Sequence, residues 1–131
     1  MDIGESIHEI LLRSDTFASL FYLAFLKDYP EVQKHFQGVD MKRQNLLLTV
    51  AMMVVERHSQ HQYAATGEYL HLLGQQHLRR NITRDLYPKW RNAMLGTLER
   101  FHGLHWSDAL AGQWRTALDS AIDAMLMAYP D

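Results

Sequence analysis

Cysteine is absent from this chain. That excludes a disulfide scaffold, a thiolate-held zinc or iron–sulfur site, a cysteine nucleophile and thioether attachment of a cofactor through C-x-x-C-H. Glycine and proline are scarce, 7 and 3 in 131 residues, so few points along the chain are marked as breaks. No Gly-rich phosphate loop and no G-x-S-x-G element occurs, which removes two common routes to catalysis. Net charge is only −2, which gives no electrostatic case for nucleic acid or an anionic membrane surface. Long apolar runs are missing as well: the longest uncharged stretch, Gln44–Val55, spans 12 residues, too few to cross a bilayer. The N-terminus, MDIGESIHEILLRS, carries acids and no basic leading region, so a secretory signal is not expected. These absences lead to the expectation of a soluble, cytoplasmic chain. What remains is a sequence 47% hydrophobic, long enough to bury a core as one domain over residues 1–131, with 8 histidines to account for.

Apolar residues recur at helical intervals throughout, and no segment sustains a period of two. Ile3, Ile7, Ile10 and Leu11 predict a helix over 2–12. Ser14 or Asp15 is expected to cap the next, which runs to about Asp28 and stops before Pro30. Pro30–Phe36 reads as a short helical turn ended by Gly38. Asp40 is placed to cap a long helix from Met41 to about Arg57. The polar run HSQHQYAATG (58–67) reads as a connection punctuated by Gly67, with helix resuming over 68–78. Asp85 is expected to cap a helix whose first turn holds Pro88 and which ends near His102-Gly103. Ser107 then opens a last helix over 108–129, stopped by Pro130, with Leu110, Trp114, Ala117, Ala121, Met125 and Ala128 on one stripe. The expected class is all-α, with six to eight helices. Their unequal lengths fit crossed helices around a pocket better than a four-helix bundle.

Three polar residues sit inside apolar stripes. Tyr22 shares a face with Ala18, Phe25, Leu26 and Tyr29, as a core tyrosine or as a hydroxyl aimed into a pocket. Gln44 heads the face of Leu47, Leu48, Ala51 and Val55, as a boundary residue or as a contact for a ligand. His77 lies with Leu70, Leu73 and Gly74 near a helix end, as a packed or capping histidine or as a metal ligand. The pairs Glu5/His8, Glu68/His71 and Glu99/His102 have the spacing used by di-iron carboxylate bundles, but no inward acids accompany them. His58/His61 and His102/His105 also lack supporting carboxylates, so all these histidines read as solvated surface groups.

Taken together, these positions resemble a family. The segment FYLAFLKDYPEVQKHF (21–36) is similar to the second helix and following corner of bacterial globins, in particular single-domain bacterial haemoglobins and the haem domain of flavohaemoglobins. Tyr22, Pro30-Glu31 and Phe36 fall at the matching places. Gln44 and Leu48 match a glutamine and an apolar residue four positions on, and His77 in LLGQQH (72–77) matches the family's proximal histidine. Tyr87, ten residues later, and Trp114 in the last helix complete the pattern. The likeness runs from about Thr16 to Tyr129. Three departures are visible. The last helix reads AMLMAY (124–129), without the glutamate that completes a His-Tyr-Glu network in members with strong redox chemistry, and Asp123 is a poor substitute. The first helix is shorter. No flavin reductase domain is expected beyond Asp131.

The resemblance implies a globin fold and a b-type haem held without covalent attachment, with His77 as the iron ligand and the haem contacted by Phe36, Leu47, Leu48, Ala51, Leu73, Tyr87, Met94 and Leu98. It also implies that the second ring nitrogen of His77 donates to a carbonyl near Leu73. Tyr22, Gln44 and Leu48 would meet the gaseous ligand, dioxygen or another diatomic such as CO or NO. The implied role is oxygen binding, transport or storage, by a monomer or homodimer. Alternatives are a nitric oxide dioxygenase served by a separate reductase, and the oxygen-sensing domain of a signalling protein.

Overall fold

Ile3, Ile7 and Ile10 are all buried, on one face of α1 (Ile3–Leu12). Asp2 opens that helix with a capping box: its carboxylate accepts from the Glu5 N–H, and Glu5 accepts from the Asp2 N–H in return. The computed structural model describes every residue from Met1 to Asp131. A single non-helical residue, Arg13 (φ −131°, ψ 48°), separates α1 from α2 (Ser14–Asp28). Neither Ser14 nor Asp15 caps α2 as the sequence led us to expect. The connection is so short that Ser14 already lies inside the helix and Arg13 takes the capping place without a side-chain bond.

Pro30–Phe36 forms a 3-10 helix, and Gly38 follows it in the left-handed region at φ 73°. Asp40 does cap α3 (Met41–His61), accepting from the N–H groups of Lys42 and Arg43. α3 runs four residues past Arg57, and the chain breaks at Gln62, in the left-handed region at φ 50°, not at Gly67. α4 (Ala64–Arg79) already contains Gly67. The polar run is therefore mostly helix with a solvated face, and His58 Nδ1 meets Thr66 Oγ1 at 2.9 Å across the turn. α5 (Leu86–His102) carries Pro88 in its first turn as expected, but Asp85 has helical backbone angles and its carboxylate accepts from Thr83 and Lys89 instead of capping. A second 3-10 turn, Gly103–His105, leads to α6 (Asp108–Leu126), which Ser107 caps by accepting from the Leu110 N–H. Six α-helices and two 3-10 helices, with no strand, make the fold all-α.

The helices pack chiefly as α4 on α6, α2 on α5, and α3 on both α2 and α6. Trp114, Phe17, Phe21, Met52, Met94 and Leu98 are among the largest fully buried side chains. One polar node lies among them. The Trp114 indole N–H donates to Ser6 Oγ at 2.9 Å, and the same hydroxyl is hydrogen-bonded to His102 Nε2 at 2.6 Å. This node ties α1 to α5 and α6. It also corrects the reading of His102 as a surface histidine: the residue is buried, its ring stacked over Trp106, and burial holds its pKa below the ordinary value.

α4 and α6 cross at Gly74. A Cβ there would collide with the Met125 carbonyl oxygen, a backbone atom that cannot swing aside. Gly74→Ala should therefore force the helices apart and lower stability by about 2–3 kcal/mol or more, read as a reduced denaturant midpoint.

Candidate functional site

α2, α3, α4 and α5 enclose a cavity of about 710 Å³, within the size range that receives a drug-sized ligand or cofactor. Most of its lining is apolar, and the polar exceptions fall in three places.

The first is on the α2–α3 wall. Tyr22 is 6% exposed, and its hydroxyl oxygen accepts from the Gln44 side-chain amide at 2.9 Å. Accepting leaves the hydroxyl hydrogen unspent, so Tyr22 can still donate. Burial pushes its pKa up to about 12, with the Gln44 bond acting weakly the other way, so the phenol stays protonated. Phe36 packs edge-on against Tyr22, ring centres 5.4 Å apart, and also lines the cavity. Leu48, buried, Ala51, half-buried, and Leu47, 45% exposed, also line the cavity from α3.

The second is His77, on the α4 wall one turn beyond Gly74. Burial, aided by the charge of Arg80, pushes its pKa down to about 4, so the imidazole is neutral at physiological pH. Leu73 lines the cavity beside it. The ring nitrogen Nδ1 lies 3.0 Å from the Tyr87 hydroxyl. This replaces the expected bond to a carbonyl near Leu73: those carbonyls are engaged along α4, whereas α5 brings a phenol to the ring. Tyr87 donates in turn to the Tyr129 hydroxyl at 3.1 Å, and Tyr129 to the Ile82 carbonyl at 2.7 Å.

The third is cationic. Arg43, at the start of α3, and Arg79 and Arg80, at the end of α4, are exposed residues that also line the cavity, with His35 half-buried nearby.

Of the eleven sequence-derived positions, nine meet the cavity: Tyr22, Phe36, Gln44, Leu47, Leu48, Ala51, Leu73, His77 and Tyr87. Met94 and Leu98 do not. Both are fully buried in the core, because α5 carries them about 10 Å or more beyond Tyr87, past the cavity end of the helix. Sequence reasoning passed over Tyr129, Trp90, Tyr69 and the three arginines, which reach the site only through tertiary placement.

Over residues 19–125 the sequence matches the family model described as Globin. The chain belongs to the globin family. No curated protein matches it. Globins are haem-binding and oxygen-binding proteins, and this globin's cavity fits such a group by its own chemistry. It offers an apolar slot, a neutral imidazole on one wall, a phenol donor on another, and guanidinium groups that would pair with carboxylates at the rim. None of the helices is long and apolar enough to cross a membrane.

The low pKa of His77 has a consequence for the apoprotein. An unfolded imidazole gains its proton near 6.5, while the folded one resists until about 4. Above pH 6.5 both states are neutral and His77 adds no pH dependence. As pH falls through that window the apoprotein should lose up to about 3 kcal/mol from this group. Denaturant midpoints at neutral and mildly acid pH, compared with His77→Gln, measure it; the variant should show a smaller acid loss.

Proposed function

We propose that this globin holds a b-type haem through His77 and reversibly binds dioxygen, and other diatomic ligands such as CO and NO, for oxygen binding, transport or storage. The observation that carries the reading is the pairing, in one apolar cavity, of a neutral histidine on α4 with the Tyr22–Gln44 pair on α2 and α3. The iron of the bound group would supply the reversible coordination chemistry. The protein supplies the rest. His77 offers a neutral nitrogen donor, which metal ligation requires. Leu48, Ala51, Leu73 and Phe36 keep water from the slot, which protects a reduced metal. Gln44 fixes the Tyr22 oxygen as an acceptor, so the phenol hydrogen is free for a guest that gains negative charge. Arg43, Arg79 and Arg80 would meet the carboxylate edge of the haem.

Carriage is preferred over nitric oxide dioxygenation with a separate reductase, and over sensing. The hydrogen-bond chain behind His77 ends on a backbone carbonyl, with no carboxylate to drive electron density toward a redox step.

Two substitutions test the reading. His77→Ala should abolish the native ferrous, oxygenated and carbonmonoxy absorption spectra; retention of a histidine-type five-coordinate ferrous spectrum rejects His77 as the ligand. Tyr22→Phe should speed oxygen release by roughly 5- to 150-fold, the worth of one hydrogen bond to a charged acceptor. Stopped-flow displacement of oxygen by CO measures it, and an unchanged rate removes Tyr22 from the role.

A further inference from the structure

We propose that Tyr129, beyond the end of α6, is a positioning residue for His77: it orients a hydrogen-bond relay that keeps the imidazole proton on Nδ1 and leaves the Nε2 lone pair to the cavity. The proposal rests on the reading of His77 as the haem ligand and adds what selects the nitrogen that binds.

The polarity of the relay is fixed from its far end. The Ile82 carbonyl has no hydrogen to give, so Tyr129 must donate to it across 2.7 Å. A phenol has a single hydrogen. Having used it, the Tyr129 oxygen can only accept from the Tyr87 hydroxyl at 3.1 Å. Tyr87 is then also an acceptor toward the ring, and the 3.0 Å contact with Nδ1 must carry a hydrogen from the histidine. A neutral imidazole with its proton on Nδ1 has its lone pair on Nε2. Turning the relay round would strip the Ile82 carbonyl of its partner.

Arg84 holds the last link in place. Its guanidinium donates to the Pro130 carbonyl at 2.7 Å and to the Tyr129 carbonyl at 3.4 Å, and lies 5.6 Å from the centre of the Tyr129 ring. The Tyr129 ring in turn stands edge-on to Tyr87, centres 5.6 Å apart. Each donation makes the next oxygen a better acceptor, so Tyr129 strengthens the grip of Tyr87 on Nδ1. Because the relay ends on an uncharged carbonyl, it orients the imidazole without pulling its proton away.

The test reads the tautomer directly, by 15N spectra of histidine in the apoprotein at neutral pH. The wild type should show His77 predominantly as the Nδ1–H form. Tyr129→Phe keeps the ring and its packing but removes the link, and should move the tautomer ratio toward Nε2–H by roughly 2- to 10-fold. In the haem-loaded ferrous protein the same variant should lower the iron–histidine stretching frequency, which a merely structural tyrosine would leave unmoved. An Nε2–H form dominating the wild type overturns the proposal, as does a ratio unchanged in a folded Tyr129→Phe. The wild-type spectrum decides the polarity even if the variant does not fold. A His77→Ala protein that keeps its native haem spectrum overturns the haem-ligand reading alone, whereas haem bound through His77 with an Nε2–H apoprotein overturns this inference alone.

Discussion

The contact between Gly74 and the Met125 backbone sets where the rest of the site can be. α4 can lie this close to α6 only because position 74 has no side chain. That approach fixes the axial and lateral placement of α4, and His77 follows one turn later on the same helix. α6 in turn leads the chain round to Tyr129, which returns to Tyr87 and so to the ring it helped to position. One steric allowance between two helices thus determines both the histidine and the hydrogen-bond chain behind it.

The cavity is mostly apolar, so each polar group in it must be partnered or costly. The two most deeply placed of them, Tyr22 and His77, are each partnered in a way that leaves one capacity unused. Gln44 satisfies the oxygen of Tyr22 and not its hydrogen. Tyr87 engages Nδ1 of His77 and not Nε2. The two walls therefore present opposite functions to the space between them, a hydrogen to give on one and a lone pair on the other. The protein supports both against burial, which drives the phenol pKa up and the imidazole pKa down and keeps each neutral.

Residues whose signals are local were legible in the sequence. Asp40 and Ser107 cap the helices they precede, Pro88 lies in a first turn, and the stripes of α1 and α6 are buried except at their ends, where Leu11 is exposed and Ala128 falls past Leu126, the last residue of α6. Tyr22, Gln44 and His77 announced themselves as polar residues on apolar faces, and the structure brings them to one cavity. The failures have physical causes too. The run 58–67 is polar because it is solvated, and polarity does not end a helix; the real break, Gln62, has no glycine to mark it. Met94 lies two turns from Tyr87 on nearly the same face, so periodicity could not show that the helix had left the cavity by then. Tyr129 contacts Tyr87 from 42 residues away, a relation that no spacing rule carries.

The Ser6 node has a kinetic meaning. Its partners, His102 and Trp114, are 96 and 108 residues away in sequence, whereas most contacts of a helical domain are local. Closing a loop of that size costs chain entropy that is recovered only once α5 and α6 have found each other. The node can close only where α5 and α6 already stand together, so this polar knot acts as a latch between the two ends of the chain, added to the packing of α1 on α2 and α3.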